Sequence, residues 1–208
     1  VRSTGFRLIG VKAGYRGECL IEPIPDNILN RFRLLAARET LSRASTEEIV
    51  TLADQTMKEG IYHDALMAIA DAFPQTPAEI RPQLQFFCDE FLIPMGDTAW
   101  ALEYLLDHFI RRMALQNSDP NGELVFLMHA VGPETLGRIY NDQQALGLDR
   151  ILFLHMQYNY LSQVHDVPKD ELDTARASCI RLIPELRVAA SEWLKRFGSI
   201  RSAPELSQ

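Results

Sequence analysis

Ser45-Thr46-Glu47-Glu48 and Thr76-Pro77-Ala78-Glu79 narrow most what this chain can become. Each places a hydroxyl residue three positions before a glutamate, at the head of an apolar pattern. In such a capping box the hydroxyl accepts from the backbone N–H three residues on, and the glutamate reaches back to the N–H of the cap residue. Pro77 then falls at the first helical position, where its missing N–H removes no bond.

The same pattern extends along the chain. Residues 27–43 carry Ile28, Leu29, Phe32, Leu35, Ala36 and Leu41 as one apolar stripe. The helix after Ser45 buries Ile49, Leu52 and Ala53 and stops at Gly60. A shorter helix follows over 62–73, and the Thr76 helix runs to about Leu92, before Pro94. Residues 97–115 are apolar around most of the circumference, which predicts the central buried helix. Asp119-Pro120 and Gly132-Pro133 start two more helices, and Gly147 breaks the chain before a helix over 149–163. In 169–197, Leu172, Ala175, Cys179, Leu182, Leu186, Ala189 and Trp193 alternate three and four apart, a heptad-like seam. That seam docks the helix on its own bundle or pairs it with a second copy, and Pro184 should kink or split it.

The expectation is a mainly α protein: a single-domain multi-helix bundle of about eight helices over 24–198. A short N-terminal arm or β-hairpin over 1–23 precedes it, and a flexible tail over 199–208 follows. Phe6 to Val11 and Glu18 to Ile21 are β-leaning runs flanking Ala13-Gly14-Tyr15-Arg16-Gly17, which has turn chemistry. No run approaches the ~18 uncharged residues of a membrane span. Cys19, Cys88 and Cys179 are odd in number and far apart, as reduced thiols of a cytoplasmic protein would be.

Charge is distributed unevenly. The 208 residues hold 21 basic and 28 acidic side chains, net −7. Residues 1–44 are net +4, residues 45–110 net −10 and residues 111–208 net −1. The whole-chain balance is wrong for gripping nucleic acid. The arginines at 31, 33, 38 and 43 are followed by an acidic helix that would repel DNA, so no nucleic acid partner is expected. The acidic middle block instead suits a docking face for a basic protein, with Glu47, Glu48, Asp54, Glu59 and Asp64 at its centre. In composition the chain is similar to small acidic helical bacterial proteins that neutralise nuclease toxins. That likeness implies an immunity or inhibitor role without catalysis or cofactor.

Enzyme motifs are sparse. Gly10, Gly14 and Gly17 match neither phosphate-binding glycine pattern. Cys88 stands beside Asp89 and Glu90, which disfavour a thiolate nucleophile. Of the histidines, His63-Asp64, Asp107-His108 and His165-Asp166 stand beside aspartates. In an all-helical chain of this size such a pair resembles the HD-type metal phosphohydrolases. The resemblance implies an upstream His, the HD pair and a distant Asp around metal ions that activate water. Its ligands would come from His63, Asp64, Asp107, His108, His129, His165 and Asp166. The match departs from the pattern: His63 has no histidine upstream, no distant Asp follows His165, and 107–108 reads in reverse order. On 149–163, His155, Asn159 and Ser162 form a polar stripe that either lines a ligand pocket or, as we favour, faces solvent with Ile151, Leu154, Tyr158 and Leu161 inward.

Overall fold

A computed structural model describes residues 24–72, 76–164 and 168–198. The expected arm or hairpin over 1–23 and tail over 199–208 lie outside the described residues. The fold is mainly α. Eight helices occupy the described residues: α1 (Asp26–Thr40), α2 (Thr46–Lys58), α3 (Asp64–Asp71), α4 (Pro77–Glu90), α5 (Thr98–Ala114), α6 (Pro120–Asn141), α7 (Asp149–Ser162) and α8 (Lys169–Phe197). They divide into two compact units, with the boundary between Ala101 and Leu102, inside α5.

In the first unit, α2 packs on α1, α3 and α4, and α3 packs on α4. Ile28, Phe32, Leu35 and Ala36 put the α1 stripe into the core beside Leu66, Ile69, Ile80 and Leu84. Phe32 and Phe87 meet at its centre with ring centroids 4.3 Å apart. The capping box of α2 forms as expected. Ser45 Oγ accepts from the Glu48 N–H at 3.2 Å, and Glu48 Oε2 accepts from the Ser45 N–H at 2.8 Å. The α4 start differs. Thr76 makes no side-chain bond to the backbone and its hydroxyl donates to Glu79 Oε2 at 2.8 Å. The carboxylate is a stronger acceptor than a hydroxyl is for an amide, and it wins the contact.

Three helices of this unit end alike. The N–H of Arg43 bonds Arg38 O, that of Ile61 bonds Thr56 O, and that of Ile93 bonds Cys88 O. The preceding N–H of each turn closes on Glu39, Met57 and Asp89 respectively. This is the Schellman arrangement, which needs a left-handed residue in the turn. Gly60 supplies it for α2, as expected; Ser42 (φ 56°) and Leu92 (φ 55°) supply it for α1 and α4.

In the second unit, α7 packs along α8 and α6 packs on both. The α8 seam is consumed here: Ala175, Cys179, Leu182, Leu186 and Ala189 are buried. The helix continues through Pro184 without the expected split, because the carbonyl that loses its N–H partner belongs to exposed Ile180. The two helices expected from Pro120 and Pro133 are two segments of α6. They meet at Gly132, whose φ 75° and ψ 169° only glycine adopts readily. Gly147 (φ +68°) turns the chain into α7, and a Cβ there would overlap the Phe197 ring. No described helix is long and apolar enough to cross a membrane.

Candidate functional site

The acidic block divides into two groups once its neighbours are in place. On α2, Glu48 binds Arg38 through both carboxylate oxygens, at 2.7 and 3.2 Å. Burial pushes the Glu48 carboxyl up, but the Ser45 amide and the Arg38 guanidinium outweigh it, so the group titrates below the usual carboxylate range. Glu59 pairs with Arg31 at 2.5 Å, and Asp54 pairs with Lys58 at 2.5 Å. Two of the arginines that make residues 1–44 basic are therefore engaged by the acids that follow. Of the five acids singled out above, Glu47 and Asp64 remain exposed without an ion pair among the described residues.

A different surface lies over α3 and α4. His63 caps α3: its Nδ1 accepts from the Ala65 N–H at 3.1 Å, so Nε2 carries the proton and donates to Glu90 Oε2 at 2.9 Å. The ring stands edge-on to Phe87 and Phe91, at 5.1 and 5.7 Å, and 6.2 Å from Phe86. This contact brings the start of α3 to the end of α4. Asp64, Met67 and Asp71 follow at helical spacing on the exposed side of α3. Phe86, Asp89 and Glu90 do so on α4. Phe86 is 56% exposed, and among the described residues Glu90 accepts from the His63 imidazole and Asp89 from the Gln85 amide. Leu92, 88% exposed, stands just beyond.

The described residues of the HD pattern are divided between the two units. His63 and Asp64 belong to the first unit; Asp107, His108 and His129 belong to the second. Both nitrogens of His63 are occupied as above. Asp107 accepts from Arg111 at 2.6 Å. His108 stacks near Tyr104 at 6.2 Å, and burial together with the charge of Arg112 lowers its pKa against the opposing pull of Glu123 and Asp107. His129 is exposed on α6. His165 and Asp166 lie outside the described residues. Among the described residues no three His, Cys, Asp or Glu side chains are placed to hold a metal ion.

The sequence pattern puts His155 on the solvent side, and the structure corrects it: the residue is 3% exposed. Its Nδ1–H donates to Asn121 Oδ1 at 2.7 Å, and its Nε2 accepts from Asn159 Nδ2 at 2.9 Å. Two amides thus satisfy a neutral ring, and burial lowers its pKa. Asn159 is visible in sequence as a neighbour four residues on; Asn121, on another helix, is not. A buried acid is equally invisible in sequence. Glu39 is sunk beside Arg81, with Nε to Oε1 at 2.5 Å and Oε2 left unpartnered, and burial raises its pKa against the pull of Arg81. Cys88 is fully buried, and burial with the Asp89 charge pushes its thiol up to about 12, far from a nucleophile's range.

The chain matches no family model, no curated protein and no solved structure.

Proposed function

We propose that the protein works by docking rather than by chemistry, and that the face of α3 and α4 receives a basic partner segment with an apolar anchor. The carrying observation is the division of the acids. Glu48, Asp54 and Glu59 hold intramolecular cations, whereas Asp64 and Asp71 flank exposed Met67 on α3 and Asp89 lies one turn from exposed Phe86 on α4, with no cation of their own among the described residues. An apolar centre within a charged rim is the anatomy of a protein interface: the ring supplies affinity and the charges supply approach and register. His63 and its aromatic neighbours stiffen the junction of the two helices, which lowers the ordering cost of binding.

An immunity-type inhibitor in a cytoplasmic setting is the biological form this function takes, on the strength of the composition and the buried free thiols. No observation favours the metal hydrolase alternative.

The test uses a synthetic amphipathic Lys/Leu peptide and a Lys/Ser peptide of equal charge, titrated into the full chain at two salt concentrations. The Lys/Leu peptide should bind more tightly, weaken as salt rises, and lose about tenfold in affinity with Asp64→Lys plus Asp71→Lys or with Phe86→Ser. Equal binding of the two peptides, or indifference to these substitutions, would sink the proposal.

A further inference from the structure

The second unit carries an open groove of about 730 Å³ between one edge of α8 and the loop after α5. Pro184, Arg187, Val188, Ser191 and Lys195 line it from one side of α8, and Gln116 and Asn117 line it from the loop. Its chemistry is one-sided. Arg187 Nη2 donates to the Ser118 carbonyl at 2.7 Å, which fixes the guanidinium, while Nε is buried without an acceptor. Neither Arg187 nor Lys195 has a carboxylate partner among the described residues. The acid of the lining, Glu192, is held by Arg150 at 2.5 Å. Beside these cations, Pro184 is exposed and Val188 is 48% exposed, an apolar floor.

We infer that this groove binds a small organic phosphate monoester. The guanidinium, fixed through Nη2, leaves Nη1 to donate to a phosphate oxygen, and an ammonium on the same helix edge favours a dianion over a monoanion. Gln116 and Asn117 offer neutral donors to the remaining oxygens, and Pro184 with Val188 takes the organic body. The volume lies within the range of roughly 300–1,000 Å³ common to small-ligand sites. This site is independent of the acidic face of the first unit, and either proposal can fail without the other.

The experiment is an amide-shift NMR titration of the full chain with phenyl phosphate, inorganic phosphate, benzoate and benzyl alcohol. Phenyl phosphate should shift residues 114–117 and 184–195 and bind at least about fivefold more tightly than any of the other three probes. Val188→Asp puts a carboxylate into the groove from an exposed position, and it should weaken phenyl phosphate about tenfold, as should Arg187→Gln. Arg187→Gln also loosens the Ser118 contact, so Val188→Asp alone decides the outcome if the Arg187 variant unfolds. Shifts scattered away from the groove, benzoate or benzyl alcohol binding as well as phenyl phosphate, or an unchanged Val188→Asp would overturn the inference.

Discussion

Arg38 reaches from α1 to both oxygens of Glu48, the same carboxylate that closes the capping box of α2 on the Ser45 amide. One side chain thus fastens two helices and terminates one of them. Glu48→Lys removes the reciprocal half of the capping box and sets a like charge beside Arg38, and should cost about 1–2 kcal/mol. Asp64→Lys and Asp71→Lys touch neither and should stay within about 0.5 kcal/mol of the parent. Urea midpoints of the three variants decide whether the acids divide into structural and free groups.

Leu92 and Ser42 occupy left-handed turn positions that favour glycine. The left-handed strain of a side chain is about 1–2 kcal/mol, partly offset by the extra freedom glycine has when unfolded. Leu92→Gly and Ser42→Gly should each stabilise the protein by about 0.5–1 kcal/mol, whereas Leu92→Ala keeps the strain and should not. Thermal unfolding of the three variants is the check. A loss of stability in Leu92→Gly would mean that the leucine side chain contributes packing its 88% exposure does not suggest.

These turns mark how far the sequence can be read. Gly60 announces its turn because glycine is the default there, but Ser42 and Leu92 are held by the hydrogen bonds around them, which no local pattern encodes. The helix starts are legible because caps act within four residues, as Ser45 and Glu48 do. Thr76 misleads because a hydroxyl near a glutamate has two ways to bond. The charge segregation is legible as well, but its meaning lies in pairs 10 and 28 residues apart, Arg38–Glu48 and Arg31–Glu59. His155 escapes because Asn121 is 34 residues away.

Gly147 combines a left-handed backbone with a close approach of Phe197. Gly147→Ala meets both, and roughly 2 kcal/mol or more should be lost. Phe197→Leu should recover part of that loss in the double variant while costing stability alone, a coupling that a double-mutant cycle measures.

The neutral ring of His155 gives the protein an acid-sensitive point. Its pKa is depressed when folded, so the folded state binds fewer protons than the unfolded chain. Its stabilising contribution is complete above the ordinary imidazole value near 6.5 and is lost as pH falls toward the folded value. His108 is depressed in the same direction. Stability should therefore fall between about pH 7 and pH 5. Asn121→Ala strands the Nδ1–H and should cost about 1–3 kcal/mol at pH 7. His155→Gln should flatten the pH dependence, and urea unfolding at pH 5, 6 and 7 would expose a failure of either expectation.

Among the described residues each unit holds one free thiol: Cys88 in the first and Cys179 in the second. Cys88 is fully enclosed and Cys179 is nearly so, and alkylation of each becomes a clock on the opening of its unit. With Cys19 replaced by serine, the rates at Cys88 and Cys179 can be followed separately by mass. Equal rates would mean that the chain opens as a single cooperative body. A slower Cys88 would make the aromatic core around Phe32 and Phe87 the last part of the molecule to let go.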